Sequence, residues 1–519
     1  MAKGRPKSNK EAIAVEKKDV AVDSDAPPAK KARQSKVISL PIPELPKKSG
    51  NILSCGQNDV GQLGFNPDDV PEKARPALVA DIKDIVDVQA GGMHSLCLTK
   101  SGEIWSFGCN DEGALGRDTS EEGSEMKPAK IDLPKKAVRI SCGDSHSACL
   151  LEDGSIFAWG SFRDAHGSMG LTTEGKKQLP IQVLPEIKGV NIASGSDHFV
   201  VLATNGHVYT IGCGEQGQLG RASIRTLSGE SRRGTKTLLT PGIITKKAKN
   251  VVANEIWATP YCTFLRDAFT NDVYGFGLNN YNQICVKKGK NEFEHYPVLT
   301  KIQNVKQIAG GQHHTIVLTN DHQVFSIGRK EYGRLGLGEV ADDVTELSKI
   351  ESLNDKKIIS ISCGAENNFG LSSDGKVYVW GSGTNSALGT GDEDDVVTPK
   401  ILVSAQVKEK NILTMSGGGQ HSLFLVEVPS TETEETAKKE PVKATKNNKK
   451  ETAKNKKEDS KEPEDETPKD TNGPSEMEVV AEKSPTDVNG NSEKDKDEKT
   501  ETASNADEKT AKRGRKRKA

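Results

Sequence analysis

The sequence predicts an all-β protein in which seven small antiparallel sheets form a closed ring, a seven-bladed β-propeller. Two observations lead to this prediction. Glycines that end an apolar strand recur along the middle of the chain in steps of 52, 52, 52, 65, 51 and 53 residues. The first copy, Asn51–Gly64, has only the second half of the repeat, and the last copy, Ile412–Val426, has only the first half. Because the two halves complete one sheet, the chain ends would close the ring and remove its exposed edges.

A repeat of about 52 residues reads as strands joined by tight turns. In Val86–Arg117 a strand leads through a Gly-Gly-x-His turn into an alternating strand, a Ser-Gly turn and a further strand. Other hairpin tips carry Asp153-Gly154 and Asn205-Gly206, pairs that favour the positive φ of tight hairpins. A sheet of about four such strands is too small to be stable alone, so each repeat needs its neighbours.

The segments outside the repeats differ in composition. Residues 1–48 contain twelve Lys/Arg and six Asp/Glu, and residues 429–519 alternate charged and small polar residues, ending in a basic cluster. Such segments cannot bury enough apolar surface to offset their ordering entropy. We therefore expect disordered tails at residues 1–48 and 429–519 around a propeller at residues 49–428.

Composition and motifs also restrict the chemistry. Nine cysteines, an odd number without a CxxC pair, are typical of reduced thiols in an intracellular protein. There is no signal peptide and no apolar run that could span a bilayer, which predicts a soluble protein with no membrane partner. No zinc spacing, phosphate-binding glycine motif or nucleophile triad stands out, so we expect no metal, no cofactor and no covalent chemistry.

Two insertions interrupt the regular repeat. In WGSFRDAHGSMG the glycines Gly160 and Gly170 are ten residues apart, whereas the equivalent glycines of another copy, Gly108 and Gly116, are eight apart. The step of 65 residues comes from Arg221–Thr240, which is rich in Arg, Ser and Gly. Loops cost little to lengthen, but long loops in compact domains are also often functional.

These phrases resemble the regulator of chromosome condensation family. The elements G-x-x-H-S-L-x-L, x-G-x-(V/I)-(Y/F)-x-(W/F)-G and N-x-x-G-Q-L-G recur in that order over about 380 residues. Non-repeated stretches are similar to its members that act on Ran, namely GGMHSLCLTKSGEIWSFGCNDEGALGRDTSEEGSEM, WGSFRDAHGSMGL, GCGEQGQLGR and GGQHHTIVL. The resemblance implies a nuclear guanine-nucleotide exchange factor that promotes GDP release and GTP loading of the GTPase Ran on chromatin. It would thereby support nuclear transport, spindle assembly and nuclear envelope formation.

Half of the ten histidines are assigned to one recurring turn position: His94, His146, His198, His313 and His421. A histidine that repeats in this way is typical of a structural hydrogen bond, but turns on one face also form a ring that could dock a partner. Asp144 and Asp197 stand in these turns where other copies have neutral residues. Turn capping and an acidic patch for a basic partner both explain these two aspartates.

The resemblance favours the acidic patch and implies a set of contacts with Ran. The predicted contact residues are Asp59, His94, Asp144, Asp197, Arg221, His313 and His421. Among these, Asp144, Asp197 and His313 are predicted to matter most for exchange. The resemblance also implies that the longer loop forms a hairpin wedge, with Gly167 at its turn, that enters the GTPase beside its phosphate-binding loop. The predicted wedge residues are Arg163, Asp164, Ala165, His166, Gly167, Ser168, Met169 and Gly170.

Basic residues in the tails and in the insertion are predicted to bind the nucleosome. The stretch KGRPK resembles the core of a minor-groove AT-hook, and PPAKKARQSK and KRGRKRK read equally well as signals for nuclear import receptors. By the resemblance, the arginine-rich insertion would reach the acidic patch of the histones. The predicted contacts to histone or DNA are Lys3, Arg5, Lys7, Lys30, Lys31, Arg33, Arg225, Arg232 and Arg233.

The alternative is a propeller scaffold or chromatin adaptor of the same repeat family without exchange activity. The wedge and the pair Asp144 and Asp197 discriminate between the two functions, because an adaptor needs neither of them. Release of GDP from Ran in the presence of the protein is the measurement that separates them.

Overall fold

The computed structural model describes residues 38–222, 234–246, 249–286 and 291–428, and these residues form seven antiparallel blades. Blade 1 is β3 (Ile85–Ala90), β4 (His94–Thr99), β5 (Ile104–Gly108) and β6 (Ala129–Lys130). Blade 2 is β7 (Ala137–Cys142), β8 (His146–Leu151), β9 (Ile156–Gly160) and β12 (Lys177–Val183). Blade 3 is β13 (Gly189–Ser194), β14 (His198–Ala203), β15 (Val208–Gly212) and β16 (Gly242–Ile243). Blade 4 is β19 (Ala253–Thr259), β20 (Cys262–Asp267), β21 (Val273–Leu278) and β22 (Phe293–Leu299). Blade 5 is β23 (Val305–Gly310), β24 (His314–Thr319), β25 (Val324–Gly328) and β26 (Val344–Lys349). Blade 6 is β27 (Ile358–Cys363), β28 (Asn367–Ser372), β29 (Val377–Gly381) and β30 (Val396–Ile401). Blade 7 is β31 (Ile412–Gly417), β32 (His421–Glu427), β1 (Gly50–Gln57) and β2 (Glu72–Leu78).

The remaining elements are short and lie between blades or within loops. They are the hairpins β10 (Phe162–Asp164) with β11 (Gly167–Gly170) and β17 (Thr245–Lys246) with β18 (Lys249–Asn250), the helix α1 (Thr235–Leu238), and 3-10 turns at Glu331–Gly333, Glu351–Leu353 and Thr384–Ser386. Within the described ranges, no helix is long and apolar enough to cross a membrane.

Blade 7 closes the ring as the half repeats predict. Strand β1, from the beginning of the repeat region, pairs with β32, from its end, over seven residue pairs from Gly50 opposite Glu427 to Gly56 opposite His421. A single further pair, Gly50 opposite Ile85, makes blades 7 and 1 one continuous sheet. The prediction of a seven-bladed propeller is therefore confirmed.

The hydrophobic core lies between neighbouring blades. One apolar cluster joins blades 7 and 1 through Ile52, Val88 and Phe107, and another joins blades 2 and 3 through Phe162 and Phe199. Each blade therefore buries its two faces against its two neighbours, which is why a single repeat could not fold alone. The cysteines take part in this packing as free thiols, and burial raises the pKa of both Cys213 and Cys262 to about 12.

Packing explains why glycine stands three residues before the repeated histidine. A Cβ at Gly91 would lie 2.3 Å from the His94 ring, and a Cβ at Gly143 would lie 2.1 Å from the His146 ring. Real Cβ atoms do not approach other atoms so closely, so only glycine lets the ring lie against the backbone.

Three of the repeated histidines connect neighbouring blades by a buried hydrogen bond to a hydroxyl, which we call an inter-blade latch. The observed latches are His94 Nε2 to Ser147 Oγ at 2.8 Å, His421 Nε2 to Ser95 Oγ at 2.8 Å, and His198 Nε2 to Thr263 Oγ1 at 2.9 Å. Each hydroxyl donates its own hydrogen to a backbone carbonyl at 2.8 Å, so the histidine Nε2 must be the donor in the latch. Burial lowers the pKa of His94 to about 4 and that of His198 to about 3, which keeps both rings neutral.

The structure corrects one assignment made from the sequence. In blade 5 the repeat position is held by His314 and not by His313, because β24 begins at His314, which is fully buried and bonds Asn368 Oδ1 at 2.6 Å. His313 precedes it and is half-buried. It therefore takes the position in the turn that Asp197 takes before His198.

The end of the segment predicted as an N-terminal disordered tail is instead packed on the propeller. Leu40 N donates to the Thr204 carbonyl at 2.8 Å, Ile42 lies against Gly154 at a hairpin tip, and Leu45 packs against the clusters between blades 1 and 2 and between blades 2 and 3. Residues 38–48 therefore form a strap across the hairpin tips, and the prediction of disorder is wrong for them. Apolar residues that alternate with proline hold the strap, although the segment as a whole is polar and basic.

Candidate functional site

One face of the ring carries the loops that differ most between blades. Strand β14 pairs with β15 from His198 opposite Gly212, so the turn before β14 and the connection after β15 emerge on the same side. We call this side the turn face. Its turns surround a central depression of about 720 Å3, lined among others by Gly92, Asp144 and Ser196.

The longer loop of blade 2 folds into a hairpin on the turn face, which we call the wedge hairpin (Phe162–Gly170). Strands β10 and β11 pair through Asp164 opposite Gly167. Gly167 has a φ of +99°, and a side chain there would have no neighbour within 4 Å, so the tip extends into open space. Its neighbours Ala165 and His166 are exposed, whereas Met169 and Gly170 are buried in the root. The predicted hairpin and its turn glycine are confirmed, and Met169 and Gly170 lie below the surface that a partner could contact.

Three carboxylates from neighbouring connections hold the wedge hairpin. Asp197 Oδ1 accepts a hydrogen bond from Arg163 N at 2.8 Å, and Glu215 Oε2 accepts one from Ala165 N at 3.2 Å. On the opposite side, Arg163 Nη1 lies 3.5 Å from Glu112 Oε1. Because the acceptors come from the blades on both sides, the hairpin is fixed in direction as well as in position.

Two of these carboxylates were not singled out from the sequence. Glu112 also accepts a hydrogen bond from the Ser168 hydroxyl at 2.9 Å, which ties the second strand of the hairpin as well. Glu112 and Glu215 lie in the connections directly before and after the blade with the longer loop. An acidic residue in both flanking connections is the signal that could have identified them.

Asp144 and Asp197 form an acidic pair beside the hairpin. Burial and then repulsion from Asp144 raise the pKa of Asp197 to about 7, although the Arg163 backbone N–H and guanidinium oppose the shift. Asp144 is exposed to solvent, but it lines the central depression, where protein surrounds it on all sides. The surrounding protein displaces much of the water around its carboxyl group and thereby raises the pKa of Asp144 as well. The two carboxylates lack a full complement of positive charge, so a cationic group of a partner would relieve their repulsion.

His313 lies on the same rim in different surroundings. Its ring centroid is 5.4 Å from that of Tyr281 in an edge-to-face contact and 6.2 Å from that of Tyr261. Burial, followed by repulsion from the Arg334 and Arg329 guanidinium groups, lowers the pKa of His313, so the ring is neutral. The rim thus presents carboxylates at blades 2 and 3, whereas His313 lies among aromatic rings and two arginines that are paired with Glu331 and Glu366.

Three residues predicted as partner contacts have structural roles in the fold. His94 and His421 are 1% and 0% exposed and form inter-blade latches, so their side chains do not reach the surface. Arg221 donates to the carbonyls of Thr210 at 3.0 Å and Thr240 at 2.9 Å and thereby braces both ends of the inserted segment. Asp59, in contrast, is exposed on the turn face and accepts only a local hydrogen bond from Gln57.

The remaining predicted residues cannot be placed. All the predicted chromatin contacts lie outside the described residues: Lys3, Arg5, Lys7, Lys30, Lys31, Arg33, Arg225, Arg232 and Arg233.

Within the described part, Asp164, His166 and Glu215 have potential ligand atoms within 4.8 Å of one another and could reach one metal ion. Surface groups of this kind are common without an ion.

Fold and site together define a class of protein, a closed propeller that presents a clamped hairpin and an acidic rim to a partner. Residues 51–424 match the family model of the RCC1-like domain. A protein named Regulator of chromosome condensation from Drosophila melanogaster is 51% identical over 424 residues, which cover 82% of this chain and 76% of that protein. The chain therefore belongs to the regulator of chromosome condensation family.

Other comparisons agree in sequence and in fold. The human Regulator of chromosome condensation is 42% identical over 408 residues, covering 77% of this chain and 96% of that protein. The Guanine nucleotide exchange factor SRM1 of Saccharomyces cerevisiae is 27% identical over 428 residues, covering 72% and 85%. The crystal structure of Prp20p from Saccharomyces cerevisiae, described with its binding properties to Gsp1p and histones, superposes with a TM-score of 0.68 at 28% identity, covering 76% and 95%. A structure of Kap60 bound to yeast RCC1 (Prp20) gives a TM-score of 0.68 at 27% identity, covering 80% and 99%.

Proposed function

We propose that the protein is a guanine-nucleotide exchange factor that promotes release of GDP from the small GTPase Ran and its loading with GTP. Membership in the family and the similarity to a yeast protein named as an exchange factor support this proposal. The observation that carries it is the wedge hairpin, a rigid projection that stands clear of the turn face and is held by Asp197, Glu215 and Glu112.

The mechanism is a competition between two ligands of the GTPase. A GTPase that holds nucleotide with picomolar affinity binds it by roughly 16 kcal/mol, and a protein that weakens this binding must itself bind the empty GTPase with comparable coupling. The wedge hairpin would enter beside the phosphate-binding loop and distort it, while Asp144, Asp197 and His313 supply compensating contacts to the GTPase. No covalent bond is made or broken, and the empty GTPase takes up the more abundant nucleotide by mass action.

Attachment to chromatin is the second part of the proposal. The yeast relative is described with histones, and the basic residues of the N-terminal tail and of the arginine-rich insertion have the charge to bind DNA phosphates or acidic histone surfaces. The complex of the same yeast protein, Prp20, with Kap60 supports import receptors as further partners, recruited through the basic stretches. We place the protein in the nucleus on this basis.

Stopped-flow release of fluorescent GDP from purified Ran tests the proposal. We expect a large acceleration by the wild-type protein and its loss when Arg163–Ser168 is replaced by a four-residue turn, which shortens the spacing of Gly160 and Gly170 from ten residues to the eight seen in another blade. His207→Ala, at a hairpin tip away from the turn face, is the matched control and should retain full activity. If the wild-type protein leaves the release rate unchanged, the protein is a scaffold or adaptor of this family instead.

A further inference from the structure

The junction between blades 2 and 3 lacks the inter-blade latch. His146 is fully buried at the repeat position, but its Nε2 has no hydrogen-bond partner. The reason is in the sequence, because blade 3 has Phe199 where the blades that receive a latch have Ser95, Ser147 or Thr263. A buried donor left unpaired loses its bond to water without replacing it, so this junction gives up stability.

The same junction carries a second departure from the repeat. In blades 7, 1 and 4 an asparagine stands two residues after the strand-ending glycine and organises the connection, as Asn58 and Asn110 do by accepting from Leu63 N and Leu115 N at 2.9 Å. Blade 2 has Phe162 at this position, which is fully buried and is the first residue of the wedge hairpin. Blades 3, 5 and 6 have a glycine or a lysine there, so no other blade places an aromatic residue at this position.

The two departures meet at His146. The ring centroid of Phe162 lies 4.7 Å from that of His146, and the ring of Phe199 lies 6.4 Å away in an edge-to-face contact. Burial lowers the pKa of His146 to about 3, so the ring packs as a neutral aromatic group. The fit around Phe162 is tight, because a Cβ at Gly212 would lie 3.0 Å from its Cδ1.

We propose that His146, Phe162 and Phe199 form an aromatic socket that fixes the root of the wedge hairpin and thereby positions it for nucleotide release. These residues are positioning residues, since they are buried and act through the hairpin. The inference rests on the proposed function and extends it to residues that a partner does not touch. It also explains why the latch is absent at this junction, because a hydroxyl at position 199 would remove one wall of the socket.

The experiment compares Phe162→Leu and Phe199→Leu with Phe369→Leu. All three side chains are buried in the core, but Phe369 packs against Phe424, 5.6 Å away in blade 7, far along the chain from the hairpin. Leucine keeps most of the apolar volume, so the variants should fold, and the thermal midpoint of each shows whether its stability loss matches that of the control. Two readouts are made: the rate of tryptic cleavage after the exposed Arg163, and kcat and KM for GDP release from Ran.

We expect both socket variants to be cleaved after Arg163 roughly tenfold faster than the control variant and to show a kcat lowered by a similar factor with KM changed less than twofold, since small misplacements of an acting group reduce the rate strongly. If cleavage after Arg163 is no faster than in Phe369→Leu, the socket does not hold the hairpin and the inference is wrong. If cleavage is faster but kcat is unchanged, the socket holds the hairpin but does not position it for nucleotide release, which overturns the inference and leaves the proposed function standing. The proposed function fails instead if the wild-type protein itself does not accelerate GDP release.

Discussion

Replacement of Asp197 by Asn should make the protein more stable and less active. Burial and the nearby Asp144 raise the pKa of Asp197 from 3.8 to about 7, so above pH 7 the folded protein holds a carboxylate in a place that disfavours the charge. A shift of this size corresponds to about 4 kcal/mol at pH 8, which partial exposure reduces to roughly 2–3 kcal/mol. Asparagine keeps an acceptor for Arg163 N but loses about 1 kcal/mol of charge-assisted bonding. The net gain is roughly 1–2 kcal/mol, or about 1–3 °C in the thermal midpoint of a domain of this size.

The pH dependence of folding stability shows the direction in which Asp197 acts. The unfolded carboxyl ionises above pH 3.8, whereas the folded one stays protonated up to about pH 7, so the wild-type protein loses stability as pH rises through this window and the variant does not. The advantage of Asp197→Asn in thermal unfolding should therefore be larger at pH 8 than at pH 5. GDP release from Ran should slow by about tenfold, because a partner cation loses its charged acceptor.

A matched control reverses the sign of the stability effect. Asp153, at a hairpin tip, bonds Lys135 at 2.8 Å and Lys188 at 3.2 Å, and these partners hold its pKa below the usual range. Asp153→Asn should destabilise slightly and leave release unchanged. A lower thermal midpoint for Asp197→Asn at pH 8 would refute the reasoning, since the aspartate would then be required to shape the turn.

Three further predictions concern the latches, the pH response and the tail. Thr263→Val leaves His198 Nε2–H and the Gln218 carbonyl unpaired and should lower the free energy of unfolding by about 2–4 kcal/mol in denaturant titration, with no change in GDP release. His198→Asn introduces the residue that blade 6 carries at the same position. Because His198 has a pKa of about 3 in the folded protein and near 6.5 in the unfolded one, the wild-type protein takes up about one proton at this residue when it unfolds between pH 4 and 6.5, and the variant does not. A slope of stability against pH that is the same in both proteins would contradict this. Deletion of residues 1–37 should weaken nucleosome binding and flatten its salt dependence while sparing exchange and the thermal midpoint, whereas deletion of residues 1–48 should also lower the midpoint because it removes the strap.

Much of the fold could be predicted because the repeat is local. Each blade is built from strands that follow one another, so the strand-ending glycines and hairpin tips locate it without long-range information. Closure by β1 and β32 followed from the two half repeats alone. The strap could not be predicted in this way, because its few apolar residues, such as Leu40 and Leu45, lie in a segment whose overall composition is polar.

The assignment of the fifth repeat failed for a physical reason. In GGQHH both Gly310 with His313 and Gly311 with His314 satisfy the Gly-x-x-His spacing. Only packing decides between them, since a Cβ at Gly311 would lie 2.5 Å from the His314 ring and His314 is the buried residue. The roles of Glu112 and Glu215 depend on packing for a related reason, because these residues belong to blades 1 and 3 and contact the hairpin only when three successive blades have packed.

In a repeat protein, function is best sought where departures from the repeat cluster. The junction of blades 2 and 3 combines a lengthened loop, a missing latch and a phenylalanine in place of a connecting asparagine, and beside it lie two aspartates with raised pKa values. A missing latch alone does not mark a functional junction, because Cys262 holds the histidine position of blade 4 and leaves Thr315 Oγ1 unpartnered, and Asn367 Oδ1 of blade 6 is unpartnered as well. The junction of blades 2 and 3 differs because the lengthened loop, the aromatic rings around His146 and the acidic pair occur together there, and the wedge hairpin is the feature to which all of them are attached.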